Sequence, residues 1–404
     1  MNMGQDGDKS LNGFSGYGIM GRVMLFGIVF LLAACGSKGK GVVADAVAER
    51  YDLGERTEGS VRDVFSGVEL IPLAFEGDYY PSRVKQLVVA GEYALVCDNK
   101  NVVHVFGKDG RYVSSSSSKL GNGPGEYSTL LGFTWNPYSE SVELLTPDKM
   151  MSYDVNFNHV SSSKLPTSIG DDGVMYDRVF DLSATRHLLL PTGISKNPSR
   201  VLVYDSEAGA IEAEIPYGED VVVETGMPAT CFFRTERGEV LFSPPSVTEH
   251  LYKVAADGGE MQKVVWLQSG SNGITKEDIS RFGDDKSALN RYLINCEKEI
   301  PLRVLPSDES IFVLVKSGNS MNDMESLHID RRTGKIVSVP IKRGDARTFP
   351  MLEDVDADYA YAIMEKESLA VAPELAMTDS TGIKEKLAEI EDESLVILKY
   401  KIKD

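Results

Sequence analysis

Three glycines within five residues, Gly121, Gly123 and Gly125, precede Glu126 and Tyr127 in this 404-residue chain. Glycines let main-chain N–H groups come close to a bound anion with no Cβ in the way. No helix follows the loop, so it is neither a P-loop nor a dinucleotide fingerprint. A structural turn pinned by Glu126 and Tyr127 is the simpler reading, with Gly123, Gly125, Glu126 and Tyr127 kept as candidate ligand contacts. A second acidic group, Asp354, Asp356 and Asp358 with Glu365 eleven residues after Asp354, has the oxygen-ligand spacing of a calcium loop. Tyr359 stands where that loop needs glycine, and the flanks read as strands. A solvated acidic turn is therefore preferred; calcium is the one cofactor these residues suggest, and no metal site is expected.

Other chemistry-bearing residues are dispersed. His104, His159, His187, His250 and His328 share no ligand spacing, and Cys35, Cys97, Cys231 and Cys296 form no CxxC pair. The cysteines distant from Cys35 read as small buried hydrophobes. The chain has no G-x-S-x-G, no H-E-x-x-H and no recognisable carboxylate pair, so no catalytic residue is assigned. The net charge of −19 and pI near 4.8 oppose binding to a phosphate backbone, and no nucleic-acid partner is expected.

Residues Val23 to Ala34 form a twelve-residue apolar run behind Arg22. A bilayer span takes about 20 residues, whereas a signal-peptide core is shorter. Leu32-Ala33-Ala34-Cys35 resembles the lipobox of bacterial lipoproteins. That resemblance implies cleavage between Ala34 and Cys35, lipid on Cys35, and a membrane as partner. Gly36-Ser37-Lys38-Gly39-Lys40 then reads as a tether without acidic residues, which points to a periplasm-facing outer-membrane anchor. Met20 is a better signal-peptide start than Met1, because the residues before it are rich in glycine and aspartate.

From about residue 67 onward, β-branched and aromatic runs alternate with Gly, Asn, Asp and Ser. A repeat emerges in which a third strand ends at Phe106, Tyr153, Tyr204, Tyr252 and Ile329. A turn with glycine follows most of these, at Gly110, Gly209, Gly258 and Gly334, and then a fourth strand such as Ile211–Ile215. The spacings are 47, 51, 48 and 77 residues. A helical insertion over about Ser271–Glu297, opened by Thr275 and Asp278 as a capping box, explains the long one. Four strands per unit of about 40–50 residues is the period of a β-propeller. A sixth unit takes strands from Tyr359–Met364, Ser368–Val371 and Leu395–Ile402. It lacks a fourth, which Gly67–Leu73 supplies, closing the ring.

The segment Gly121-Asn122-Gly123-Pro124-Gly125-Glu126-Tyr127 and the C-terminal run 393–403 resemble the six-bladed, NHL-like propeller lipoproteins of Bacteroidetes. The expected organisation is a signal peptide over 1–34, a lipidated Cys35 with a flexible tether over 35–60, and an all-β six-bladed propeller over 61–404. The fold and anchor together suggest a non-enzymatic envelope protein binding a glycan, a peptide or another envelope protein. The alternative is a lyase or hydrolase of polysaccharide or small metabolite working at the central channel mouth; an accessory subunit of an envelope complex is a third. Asp379-Ser380-Thr381 resembles a short O-glycosylation signal, and a helix cap at Ser380 or Thr381 explains it equally well.

Overall fold

The repeat predicted from the sequence is a ring of six four-stranded antiparallel blades. The computed structural model describes residues 39–403, apart from 41, 76–80, 82, 170–171, 192–199, 218–229, 246–248, 284, 321–322, 342–350, 370–379 and 393. Ala34 and Cys35 lie outside the described residues, as does Asp379. Counted from the channel outward, blade 1 is Val84–Ala90, Tyr93–Asp98, Val103–Gly107 and Tyr112–Ser115. Blade 2 is Gly132–Asn136, Ser141–Leu145, Lys149–Tyr153 and His159–Lys164. Blade 3 is Tyr176–Asp181, Arg186–Pro191, Arg200–Asp205 and Ala210–Pro216. Blade 4 is Phe232–Arg234, Val240–Phe242, His250–Val254 and Glu260–Gln268. Blade 5 is Ile300–Pro306, Ser310–Lys316, Met324–Asp330 and Ile336–Ile341.

Blade 6 is assembled from both ends of the sheet domain: Asp354–Val355, Tyr359–Glu365, Leu395–Ile402 and, outermost, Phe65–Pro72. Leu70 pairs with Leu398 and Phe65 with Ile402, which is the expected ring closure. Two details differ from expectation. Lys366–Leu369 is a helical turn, so Ser368 opens no strand, and residues 370–371 lie outside the described set. The missing strand is Asp354–Val355, two residues long and hard to see in a segment dense in aspartate.

Each blade is buried on both faces, because each is sandwiched between two others. Second strands such as Ser141–Leu145 and Ser310–Lys316 are therefore buried at every position and show no in–out alternation. The core is not one mass but six apolar layers, one per junction. Leu95 and Val105 meet Phe133 and Val142 between blades 1 and 2; Leu145 and Met150 meet Val179 and Leu189 between 2 and 3. Leu188 and Val203 meet Phe232 and Phe242, and Leu251 and Val265 meet Ile311 and Val313. Phe312 and Val339 meet Val396 and Leu398, and Ile397 with Tyr361 meets Leu87 and Phe106. Gly110, at φ +84°, permits the last closure, since a Cβ there would lie 2.1 Å from the Pro72 carbonyl oxygen.

The tether expected over 35–60 is in large part a strap of sheet. Gly39–Lys40 pairs in parallel with the outer strand of blade 3, Val42–Asp52 with that of blade 4 and Thr57–Glu58 with that of blade 5. Tyr51 and Leu53 enter the layer between blades 4 and 5. Arg331 grips Glu49, and Arg56 reaches Glu299 at 2.8 Å and Glu325 at 2.9 Å. Sheet pairing thus extends upstream of residue 61 into this segment. The insertion is helical as predicted, over Lys276–Ser280 and Lys286–Asn295, with the Thr275–Asp278 capping box formed. No described helix is long and apolar enough to cross a membrane.

Candidate functional site

A propeller's inner strands run side by side around its axis, so their side chains converge on one channel from widely separated parts of the chain. Here the inner strands of blades 1, 2, 3, 4 and 6 line a cavity of about 290 Å³. Close approach of the strands needs small residues: a Cβ on Gly132 would lie 2.5 Å from the Asp177 carbonyl oxygen of blade 3. Position along the inner strands sorts the lining. Near the strand starts, Gln86 of blade 1 donates to Thr230 Oγ1, just before blade 4, at 3.3 Å. In a six-blade ring these two blades are opposite each other, so this hydrogen bond spans the channel.

The other end, where each inner strand turns into its hairpin, carries the charge. Arg234 ends the inner strand of blade 4, and its guanidinium lies 5.2 Å from the ring centres of both Phe180 and Tyr138. It also donates to the Asp181 carbonyl oxygen. From blade 6 come Asp354 and Asp356. Asp354 accepts from the Val89 N–H of blade 1 at 2.8 Å and from the Val355 N–H at 2.9 Å. Asp356 accepts from the N–H groups of Asp358 and Tyr359 and from the Tyr361 hydroxyl at 2.7 Å. Burial pushes the Asp354 carboxyl up to about 7, with the nearby Asp356 and Glu353 adding to it against the two N–H donors. Trp135, Phe180 and Phe232 supply aromatic wall between the charged groups.

Of the acidic residues singled out in the sequence, then, Asp354 and Asp356 come together at the channel while Asp358 contributes a turn N–H. Glu365 ends the second strand of blade 6, about 20 Å from Tyr359 at the rise of a β-strand. Among the described residues no group of three or more His, Cys, Asp and Glu could hold a metal ion.

The Gly121–Tyr127 segment lies elsewhere, as the crossover from blade 1 to blade 2. Glu126 Oε2 accepts from the Gly123 N–H at 2.8 Å. The Tyr127 ring is buried, with its hydroxyl on Ser116 Oγ at 2.6 Å and on the Asn101 carbonyl at 2.8 Å. Gly125 has φ +72°, with the His159 ring against the place of its missing Cβ. These contacts turn the Glu126 carboxylate and the Tyr127 hydroxyl inward.

The histidines do not converge. His104, His187 and His328 are buried in blades 1, 3 and 5, His159 is exposed, and His250 stacks on Trp266. His187 belongs to a chain the sequence did not reveal: Ser206 Oγ is 3.1 Å from His187 Nε2, whose Nδ1 is 2.6 Å from Asp181 Oδ1. The order is that of a nucleophile, base and orienting acid. His187 and Asp181 are each 1% exposed and Ser206 donates to the Thr185 carbonyl. The chain therefore ties the first hairpin of blade 3 to its third strand. Cys97 and Cys231 are buried and Cys296 half-buried, all as free thiols.

Residues 46–374 match a protein family described as a domain of unknown function, DUF4934. The chain belongs to that family. The match runs from the strap through the first two strands of blade 6. A comparison with curated proteins found no match. Among solved structures, the chain is similar to a Bacteroides fragilis protein described by its expected export, at 17% identity and a TM-score of 0.68, covering 88% of this chain and 99% of that one. It is also similar to a DUF4221-family member from Bacteroides vulgatus, at 11% identity and a TM-score of 0.53, covering 84% and 98%. At these identities the likeness is one of fold.

Proposed function

We propose that this protein is an exported, lipid-anchored envelope protein whose propeller is a binding module, with its ligand seated in the channel at the hairpin end. One observation carries the reading: five blades converge on a single cavity that combines a fixed guanidinium, two fixed carboxylates and aromatic wall. A concave site of this mixed make-up is where a small ligand is held. Catalysis of glycoside hydrolysis by a carboxylate pair needs the two groups on either side of the scissile bond. Asp354 and Asp356 issue from the same hairpin, and this favours binding over that chemistry. The export of the Bacteroides fragilis relative, implied by its description, supports the location, as do the apolar run and Leu-Ala-Ala-Cys35 of this chain. With lipid on Cys35, only Gly36, Ser37 and Lys38 separate the anchor from the first paired residue, a span of about 14 Å at most. The periplasmic face of the outer membrane remains the proposed location.

The test is thermal unfolding of the full chain in detergent against small peptides, saccharides and divalent cations. A ligand at a hundredfold excess over its Kd stabilises by about 2.7 kcal/mol. Trp135→Ala should remove the shift caused by a channel ligand. A shift that survives Trp135→Ala and Arg234→Gln would place binding outside the channel.

A further inference from the structure

We propose that the channel ligand is a small zwitterion of the amino-acid or dipeptide class, its carboxylate on Arg234 and its ammonium on Asp354 and Asp356. This rests on the channel being a binding site and goes on to name what it binds.

The charges of Arg234, Asp354 and Asp356 are fixed in place and form no ion pair with one another. Arg234 is held by two aromatic faces and the Asp181 carbonyl and forms no ion pair with a carboxylate of the described residues; the nearby Asp181 carboxyl lies on His187 Nδ1 instead. A guanidinium with no carboxylate bound to it keeps donors for a planar, two-oxygen acceptor such as a carboxylate. On blade 6, Asp354 and Asp356 are positioned by backbone N–H groups and a tyrosine hydroxyl, not by a cation. The two sets issue from blades 4 and 6, separated by blade 5, at the same end of the channel. A neutral sugar would leave both charges uncompensated in a confined space. Arg178, the other arginine of the lining, is paired with Asp177 at 3.2 Å, so a simple anion would meet the two aspartates and a simple cation would meet Arg234. A molecule with both signs answers both at once.

Size and wall agree. About 290 Å³ is at the lower limit of small-molecule sites, which run from about 300 to 1,000 Å³, and suits one or two amino acids better than an oligosaccharide. Trp135, Phe180 and Phe232 offer apolar surface to a side chain lying between the charged ends.

The experiment is calorimetric titration of the full chain in detergent with alanyl-leucine, N-acetyl-alanyl-leucine, alanyl-leucine amide and maltose. The expected result is binding of the free dipeptide, weakened tenfold or more by capping either end. Arg234→Gln should abolish the preference for the free carboxylate. Asp354→Asn should abolish that for the free amine, with Asp356→Asn as the second variant if the first unfolds; unchanged melting of each variant shows that it folds. Equal binding of capped and free peptides overturns the zwitterion assignment. So does maltose binding that Trp135→Ala removes, and this outcome leaves the channel standing as a binding site. No heat from any of the four overturns the assignment and, with the wider ligand panel also silent, the binding module itself.

Discussion

Glu143 is a buried carboxyl that makes this fold sensitive to pH. It lies between blades 2 and 3, 3% exposed, accepting from Ser141 Oγ at 2.9 Å and Ser152 Oγ at 3.1 Å. Burial first, and then the charge of Asp181, push its carboxyl from 4.5 up to about 7. Asp181 is itself raised by burial, and its Oδ2 is a buried acceptor without a hydrogen-bond partner. A raised carboxyl stabilises the fold below its unfolded value of about 4.5, and that stability is lost as the pH rises through about 7. Glu143→Gln keeps an acceptor for both serines and does not ionise. The variant should gain on the wild type between pH 4.5 and 7, by up to about 3 kcal/mol, in denaturant melts across that window. His328 works in the opposite direction, its pKa lowered to about 4 by burial. Its contribution is present above its ordinary value near 6.5 and falls away as the pH drops through 4. Tyr127→Phe should cost about 1–2 kcal/mol, since it strips the hydroxyl from Ser116 and Asn101. If the Gly121–Tyr127 loop is a crossover and not a site, titration will show ligand affinity unchanged in that variant.

At the scale of the element, the strap and the closing strand are both outermost strands and differ in what they do. Phe65–Pro72 lies between Leu395–Ile402 and solvent as an integral fourth strand, and its Phe65 and Leu70 belong to the layer between blades 5 and 6. Val42–Asp52 is a fifth strand added to a blade already complete. Deleting 65–72 should therefore prevent folding, while deleting 39–52 should leave a propeller of lower stability; circular dichroism and protease resistance distinguish the two. Leu53→Ala, at a site 1% exposed, should by itself cost about 2–5 kcal/mol in a denaturant melt. The strap was not legible because its pairing is with strands about 170 to 280 residues away. Parallel pairing at such range leaves no hairpin turn in the sequence, and Val-Val-Ala-Asp-Ala-Val-Ala has weak alternation. The helical insertion was legible, since a capping box and a 3.6-residue apolar period are local.

For the whole molecule, export and anchoring make a prediction independent of the channel. Cys35→Ala should release the protein from the membrane fraction and remove labelling by radioactive palmitate, with the propeller's melting temperature unchanged; retained label would refute lipidation there. Blade count and ring closure could be read in advance because they follow from local signals repeated every 40–50 residues: apolar runs, turn glycines, and one strand too many at one end with one too few at the other. The candidate site could not. Gln86, Trp135, Phe180 and Arg234 are ordinary residues in ordinary strands, and nothing in their spacing marks them, while Asp354 and Asp356 stood out only by their acidic spacing. They become neighbours because six blades close around one axis and turn their inner strands toward it. Sequence by itself determined most of the blade strands and how many blades they make, since hydrophobic period and turn chemistry act over a few residues. Only the tertiary structure decided which charges share the channel, because that depends on the closure of the ring.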